Sequence, residues 1–122
     1  MDDLGQRIWL LALSLQGSKS EEEWGTLVWD AVKLLEMDPV GQPEFRHYPI
    51  GGKGGTGMTI FQPITESFLA LDTWPDFDGA YLLVNSCKKF DDRQLVHWLE
   101  VDQGLVVIDT MSGSLGLACA VS

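Results

Sequence analysis

The spacing of apolar residues divides the chain into short stretches of alternating character. Ile8 to Gln16 is an apolar run of strand length, and the polar, acidic stretch Ser18 to Glu23 ends it. Ser20 and Glu23 then form a capping box, after which Trp24, Leu27, Val28, Ala31, Leu34 and Leu35 fall on one helical face. Pro39 and Gly41 close that helix. Glu44 to Ile50 alternates as a strand and runs into the glycine-rich segment 51–57, which reads as a mobile loop. Three strand-like pieces follow: Met58 to Ile64 with a break at Pro63, Phe68 to Trp74 stopped by Pro75, and Ala80 to Cys87. Asp76 to Gly79 is the turn between the last two. Asp91 caps a second helix through Glu100, with Leu95, Trp98 and Leu99 on its apolar side, and Leu105 to Thr110 is a final strand. Nothing after Ser112 is assigned.

This order predicts an α+β two-layer sandwich, a mainly antiparallel sheet with two helices on one face. With 122 residues, 45% of them hydrophobic, the chain closes one core, so residues 1–122 are read as a single domain. The sheet's other face needs a cover, and a homodimer is the expected one.

Charge narrows the partners. Eighteen acidic against eight basic residues give a net charge of −10, with the basic residues scattered, so neither nucleic acid nor an anionic membrane is an expected partner. The field suits a cationic small molecule, although an acidic surface more often serves only solubility. Cys87 and Cys119 lack zinc-type spacing, and no metal is expected. No secretory leader is visible and the first apolar run is too short to span a bilayer, so the cytoplasm is the expected compartment.

Residues 52–57 match the glycine pattern of dinucleotide-binding turns, but a strand rather than a helix follows, which removes the phosphate-facing helix N-terminus. A mobile loop is the favoured reading, a lid the alternative. His47 and His97 have no evident partner for a nucleophilic dyad.

The informative run is Thr65-Glu66-Ser67-Phe68-Leu69-Ala70-Leu71-Asp72-Thr73-Trp74-Pro75-Asp76, with Cys87 twenty residues after Ser67. It resembles the short bacterial and archaeal S-adenosylmethionine decarboxylase proenzymes, in which Glu-Ser-His-x-x-x-His-Thr-Trp-Pro-Glu is followed by a cysteine at that distance. The order and lengths of the elements fit the same family over most of the chain. The resemblance implies that the Ser67 hydroxyl attacks the Glu66 carbonyl, that the chain is cut between residues 66 and 67, and that Ser67 becomes a pyruvoyl cofactor. That ketone would form a Schiff base with the substrate amine and withdraw electrons as carbon dioxide leaves, in polyamine (spermidine) biosynthesis, with Cys87 returning the proton. It also implies Trp74 and Thr56, or Thr59 in an ungapped alignment, as contacts near substrate and ester.

Two departures bear on this. The family's histidine after the serine is Phe68, and the histidine five residues after it is Asp72. An ordinary Asp, with a pKa near about 3.9, is a weak base at neutral pH. A five-residue spacing also puts Ser67 and Asp72 on opposite faces of a regular strand, so they meet only if the chain bends near Ser67. Taken singly, Ser67, Cys87, Asp72 and Trp74 are ordinary strand, core or turn residues. Together they support two readings: a self-processing decarboxylase of S-adenosylmethionine or of a cationic amino acid, or an unprocessed homologue acting as a binding or regulatory partner.

Overall fold

The computed structural model describes residues 4–49 and 56–118. Among these, β1 (Leu4–Gln16), α1 (Glu21–Leu34), β2 (Glu44–Pro49), β3 (Thr56–Ile64), β4 (Ser67–Trp74), β5 (Gly79–Ser86), α2 (Asp92–Val101) and β6 (Val106–Ala118) follow in chain order. The strands form one six-stranded sheet in the order β2-β3-β4-β5-β1-β6, every neighbouring pair antiparallel. Both helices lie on one face. The expected two-layer α+β sandwich is therefore the observed fold. No described helix is long and apolar enough to cross a membrane.

Alternation explains the layering. Along β4, Leu69, Leu71 and Thr73 are buried while Phe68, Ala70 and Asp72 are half-buried and Trp74 is exposed. On β5 the buried set is Ala80, Leu82, Val84 and Ser86. These inward rows meet Trp24, Leu27, Val28, Ala31 and Val32 of α1 and Leu95 and Leu99 of α2 in one core. Full burial of a side chain such as Leu71 or Leu82 contributes about 1.5–3 kcal/mol. Helix α1 starts where the capping box predicts: the Glu23 amide donates to Ser20 Oγ at 3.1 Å and the Ser20 amide to Glu23 Oε1 at 2.8 Å. The backbone and side-chain bonds from Ser20 hold the Glu23 carboxyl below its ordinary pKa.

Several boundaries differ from the periodicity. The first strand starts at Leu4 rather than Ile8, and the last runs to Ala118, because the two pair along nearly their whole length. The small, mostly apolar residues after Ser112 hide that strand, since they are exposed on both of its faces and no burial demands a pattern from them. Pro63 does not break β3. Its carbonyl faces outward to the Val40 amide at 2.9 Å, so its missing N–H points the same way, past the end of β2. Cys87 lies just beyond β5, at a bend, rather than inside it. Thr56 and Gly57 belong to β3, whereas the rest of the glycine segment, 51–55, Ile50 and Cys119 lie outside the described residues.

Candidate functional site

The β3–β4 hairpin turns on Thr65 and Glu66, with Ile64 paired to Ser67. The segment after α1 pins this turn from outside. The Thr65 amide donates to the Asp38 carbonyl at 2.8 Å, the Asp38 amide to Glu66 Oε1 at 3.2 Å, and Pro39 bridges to Ile64. A rigidly held hairpin presents its Glu66–Ser67 peptide in one geometry.

Two features set that peptide apart. Ser67 has φ of 152°, a region that only glycine enters freely and that costs a residue with a side chain about 1–3 kcal/mol. The Glu66 carbonyl oxygen accepts a 2.9 Å hydrogen bond from the Cys87 amide. That donor is aimed by Ser86, whose buried hydroxyl donates to the Lys88 carbonyl at 2.7 Å and accepts from the Lys88 amide at 2.9 Å, bending the chain at Cys87. Cys87 itself is a free, exposed thiol.

The unusual φ also redirects the serine. By alternation Ser67 belongs with Leu69 and Leu71, facing the helices. Its Oγ instead accepts a 2.9 Å hydrogen bond from Asn85 Nδ2. Asn85 lies on the sheet's open face, where with Phe68, Leu10, Leu83 and Met111 it lines a hollow of about 430 Å³. The bend that the five-residue spacing demands is present at Ser67.

It does not bring Asp72 to the serine. Asp72 pairs with Thr59 and Tyr81, whereas Ser67 pairs with Ile64 and Ser86, so the two are five residues, about 16 Å, apart along β4. The Asp72 carboxylate is engaged elsewhere. Oδ1 accepts from the Tyr48 hydroxyl and, at 3.1 Å, from the Thr59 hydroxyl, while Oδ2 accepts from Trp74 Nε1 at 3.1 Å. The bond to Asp72 raises the Tyr48 phenol above its ordinary pKa.

Trp74 begins a second feature. Pro75 starts a single 3₁₀ turn, Asp78 takes the left-handed conformation at φ 49°, and Gly79 opens β5. A Cβ at residue 79 would lie 2.5 Å from the Leu15 carbonyl oxygen, so only glycine fits there. The turn sets Phe77 and Tyr81 edge-on to Trp74, with ring centroids 6.5 and 6.4 Å apart. These rings, with Ser14, Asp109 and Met111, line an open-face cavity of about 610 Å³.

Of the residues singled out from the sequence, Glu66, Ser67 and Cys87 therefore come together, and Asp72 with Trp74 forms a separate cluster. Thr56 opens β3 opposite Pro49, and it is Thr59 that meets Asp72. His47 sits 3.0 Å from Glu21 and His97 is exposed on α2, neither near Ser67 in the chain's pairing. No group of three His, Cys, Asp or Glu side chains among the described residues could hold a metal ion. Sequence reasoning missed Asn85 and Tyr48. An amide inside an otherwise apolar strand, two residues before Cys87, is the clue that was available for the first; a tyrosine on an edge strand offers none.

No family model matches this chain. Among solved structures it is similar to the crystal structure of the adenosylmethionine decarboxylase from Aquifex aeolicus VF5, at 16% identity over 94% of this chain and 92% of that one, with a TM-score of 0.59. At that identity the likeness is one of fold, and the fold of this chain is that of the adenosylmethionine decarboxylase.

Proposed function

We propose that this chain is a self-processing, pyruvoyl-dependent decarboxylase that cuts itself between Glu66 and Ser67. The observation that carries the reading is the peptide itself: a strained serine follows a carbonyl already held by the Cys87 amide. As the Ser67 hydroxyl adds to the Glu66 carbonyl carbon, charge collects on the carbonyl oxygen, where a preorganised N–H stabilises it most. The C–N bond then breaks, the hydroxyl proton passes to the freed amine, and an ester joins Glu66 to Ser67. Loss of the Ser67 Cα proton expels the Glu66 carboxylate, and water converts the remaining dehydroalanine to a ketone with release of ammonia. Relief of the backbone strain favours the first of these steps.

The residues around Ser67 fit the product. A terminal ketone at position 67 would face the open-face hollow, beside an Asn85 Oδ1 that is buried without a partner. When formed, such a group withdraws electrons from a bound amino acid as carbon dioxide leaves. In this reading Cys87, one residue past β5 and exposed, returns a proton to the substrate carbon. A cationic substrate, S-adenosylmethionine or a basic amino acid, suits the net charge of −10 and the aromatic cavity with Asp109 beyond Trp74. Intact mass measurement of purified protein tests the cut: two fragments, 1–66 and 67–122, are expected, and a chain that stays at 13.5 kDa after long incubation refutes it.

A second reading, an unprocessed homologue that keeps the pocket and binds ligand or partner, is favoured by one observation. The partner of Ser67 Oγ is an amide rather than a base, and the nearest acid on β4 is saturated with donors. Calorimetric binding of S-adenosylmethionine without carbon dioxide release would establish it.

For the open sheet face we propose a second copy of this chain. Leu10, Leu83, Met111, Leu115 and Leu117 are exposed there, Met111 at 76%, with no element among the described residues layered over them. Sedimentation should give a dimer, and Leu83→Asp a monomer. A monomeric parent protein at micromolar concentration would refute this.

A further inference from the structure

We infer that Asn85 is the positioning residue for the Ser67 hydroxyl at the cut; the inference rests on the self-cleavage reading. Nδ2 of Asn85 lies 2.9 Å from Ser67 Oγ. Its Oδ1 is buried and meets no partner, an expensive arrangement that the fold alone does not require. An asparagine on the open face of β5, in a row with Gly79, Tyr81 and Leu83, contributes nothing to the core.

The two ends of a side-chain amide occupy nearly the same positions, so a half-turn exchanges them without moving anything else. Among the described residues no second bond holds Asn85 in either orientation. With Nδ2 forward, the amide donates to Oγ and supports the negative charge that gathers there as the proton departs. With Oδ1 forward, it accepts the hydroxyl hydrogen and turns the Oγ lone pair toward the Glu66 carbonyl. Both orientations act through Ser67, and neither makes Asn85 a proton acceptor. Asn85 also holds the hydroxyl on the open-face side that the φ of 152° creates, against the helix-facing direction of the strand's alternation.

The test is a cleavage time course by intact mass from about pH 4 to pH 9 on the parent chain, Asn85→Ala and Asn85→Asp, with thermal melts as the folding control. Asn85→Ala is expected to slow the cut at least tenfold while melting as a folded protein. Asn85→Asp places a carboxylate against Oγ, so its rate should rise as that group ionises, between about pH 4 and 6, relative to the parent. A purely structural role for residue 85 yields no such pH profile. A folded Asn85→Ala that cuts at the parent rate, or an Asn85→Asp with the parent's pH profile, overturns the inference while leaving self-cleavage intact. If Asn85→Ala does not fold, Asn85→Asp alone decides. A parent chain that never cuts removes the decarboxylase reading and this inference together, an outcome distinct from either of those.

Discussion

The two ends of β4 solve opposite problems. At the Asp72 end every polar group is answered: one carboxylate takes donors from Tyr48, Thr59 and Trp74, drawn from three strands. At the Ser67 end the backbone is strained, an amide oxygen is buried without a partner, and the carbonyl before the serine is held by an N–H. Satisfied networks rigidify; strained and orphaned groups persist only where surrounding structure over-determines them, and such places cluster at reactive sites. On the proposed reading the difference assigns chemistry to Ser67 and support to Asp72, although a motif read along the strand would assign both to one site.

Substitutions that separate the ends test this division. The largest effect is expected from Ser67→Ala, which removes the proposed nucleophile and should abolish the cut altogether in a mass time course, with the fold retained. Asp72→Ala strips the acceptor from three donors. Because Tyr48 and Trp74 are partly exposed and water can replace some of the loss, the cost should be about 2 kcal/mol, roughly 6 °C in a thermal melt. Its cleavage rate should fall far less than that of Asn85→Ala, since about 16 Å of strand separates it from Ser67. An Asp72→Ala that melts normally yet fails to cut would break the division of labour.

Much of this architecture was legible in the sequence for a physical reason. Strands and helices with a buried face must show period in their apolar residues, so α1, β4, β5 and α2 could be placed from Trp24, Leu71, Leu82 and Leu95 and their neighbours. Legibility failed where no burial constrains the residue: β6 beyond Ser112 is exposed on both faces, and Gly113, Ser114 and Gly116 dilute the row of Met111, Leu115 and Leu117. The site divided along the same line. Ser67, Glu66 and Cys87 lie close in sequence or at a motif's spacing, whereas Asn85 and Tyr48 are defined only by cross-strand register, which period alone does not reveal. The backbone angle of Ser67 left no mark either, because a serine in that conformation is held by its surroundings and not by its own preference.

Strain at the Ser67 end predicts a gain as well as a loss. Glycine enters the φ of residue 67 freely, so Ser67→Gly should stabilise the chain by about 1 kcal/mol in urea unfolding, the relieved strain being partly offset by glycine's greater freedom when unfolded. No substitution at the Asp72 end should stabilise. A Ser67→Gly chain less stable than Ser67→Ala would mean that the angle carries little strain.

The smallest expected effect belongs to the Asp72 end and is lost at high pH. Folding raises the Tyr48 phenol above its ordinary value, chiefly through its hydrogen bond to Asp72. The protonated phenol is thus the form the folded state prefers. Its contribution to stability is present in full below the unfolded-state value of about pH 10 and is lost as pH rises through the higher folded-state value. Tyr48→Phe removes the hydroxyl and with it this dependence, so urea midpoints of parent and variant should differ at pH 8 and converge as pH passes about 10. Parallel profiles across that window would show that the phenol does not hold its proton against Asp72, and that this end of β4 is less tightly answered than its hydrogen bonds imply.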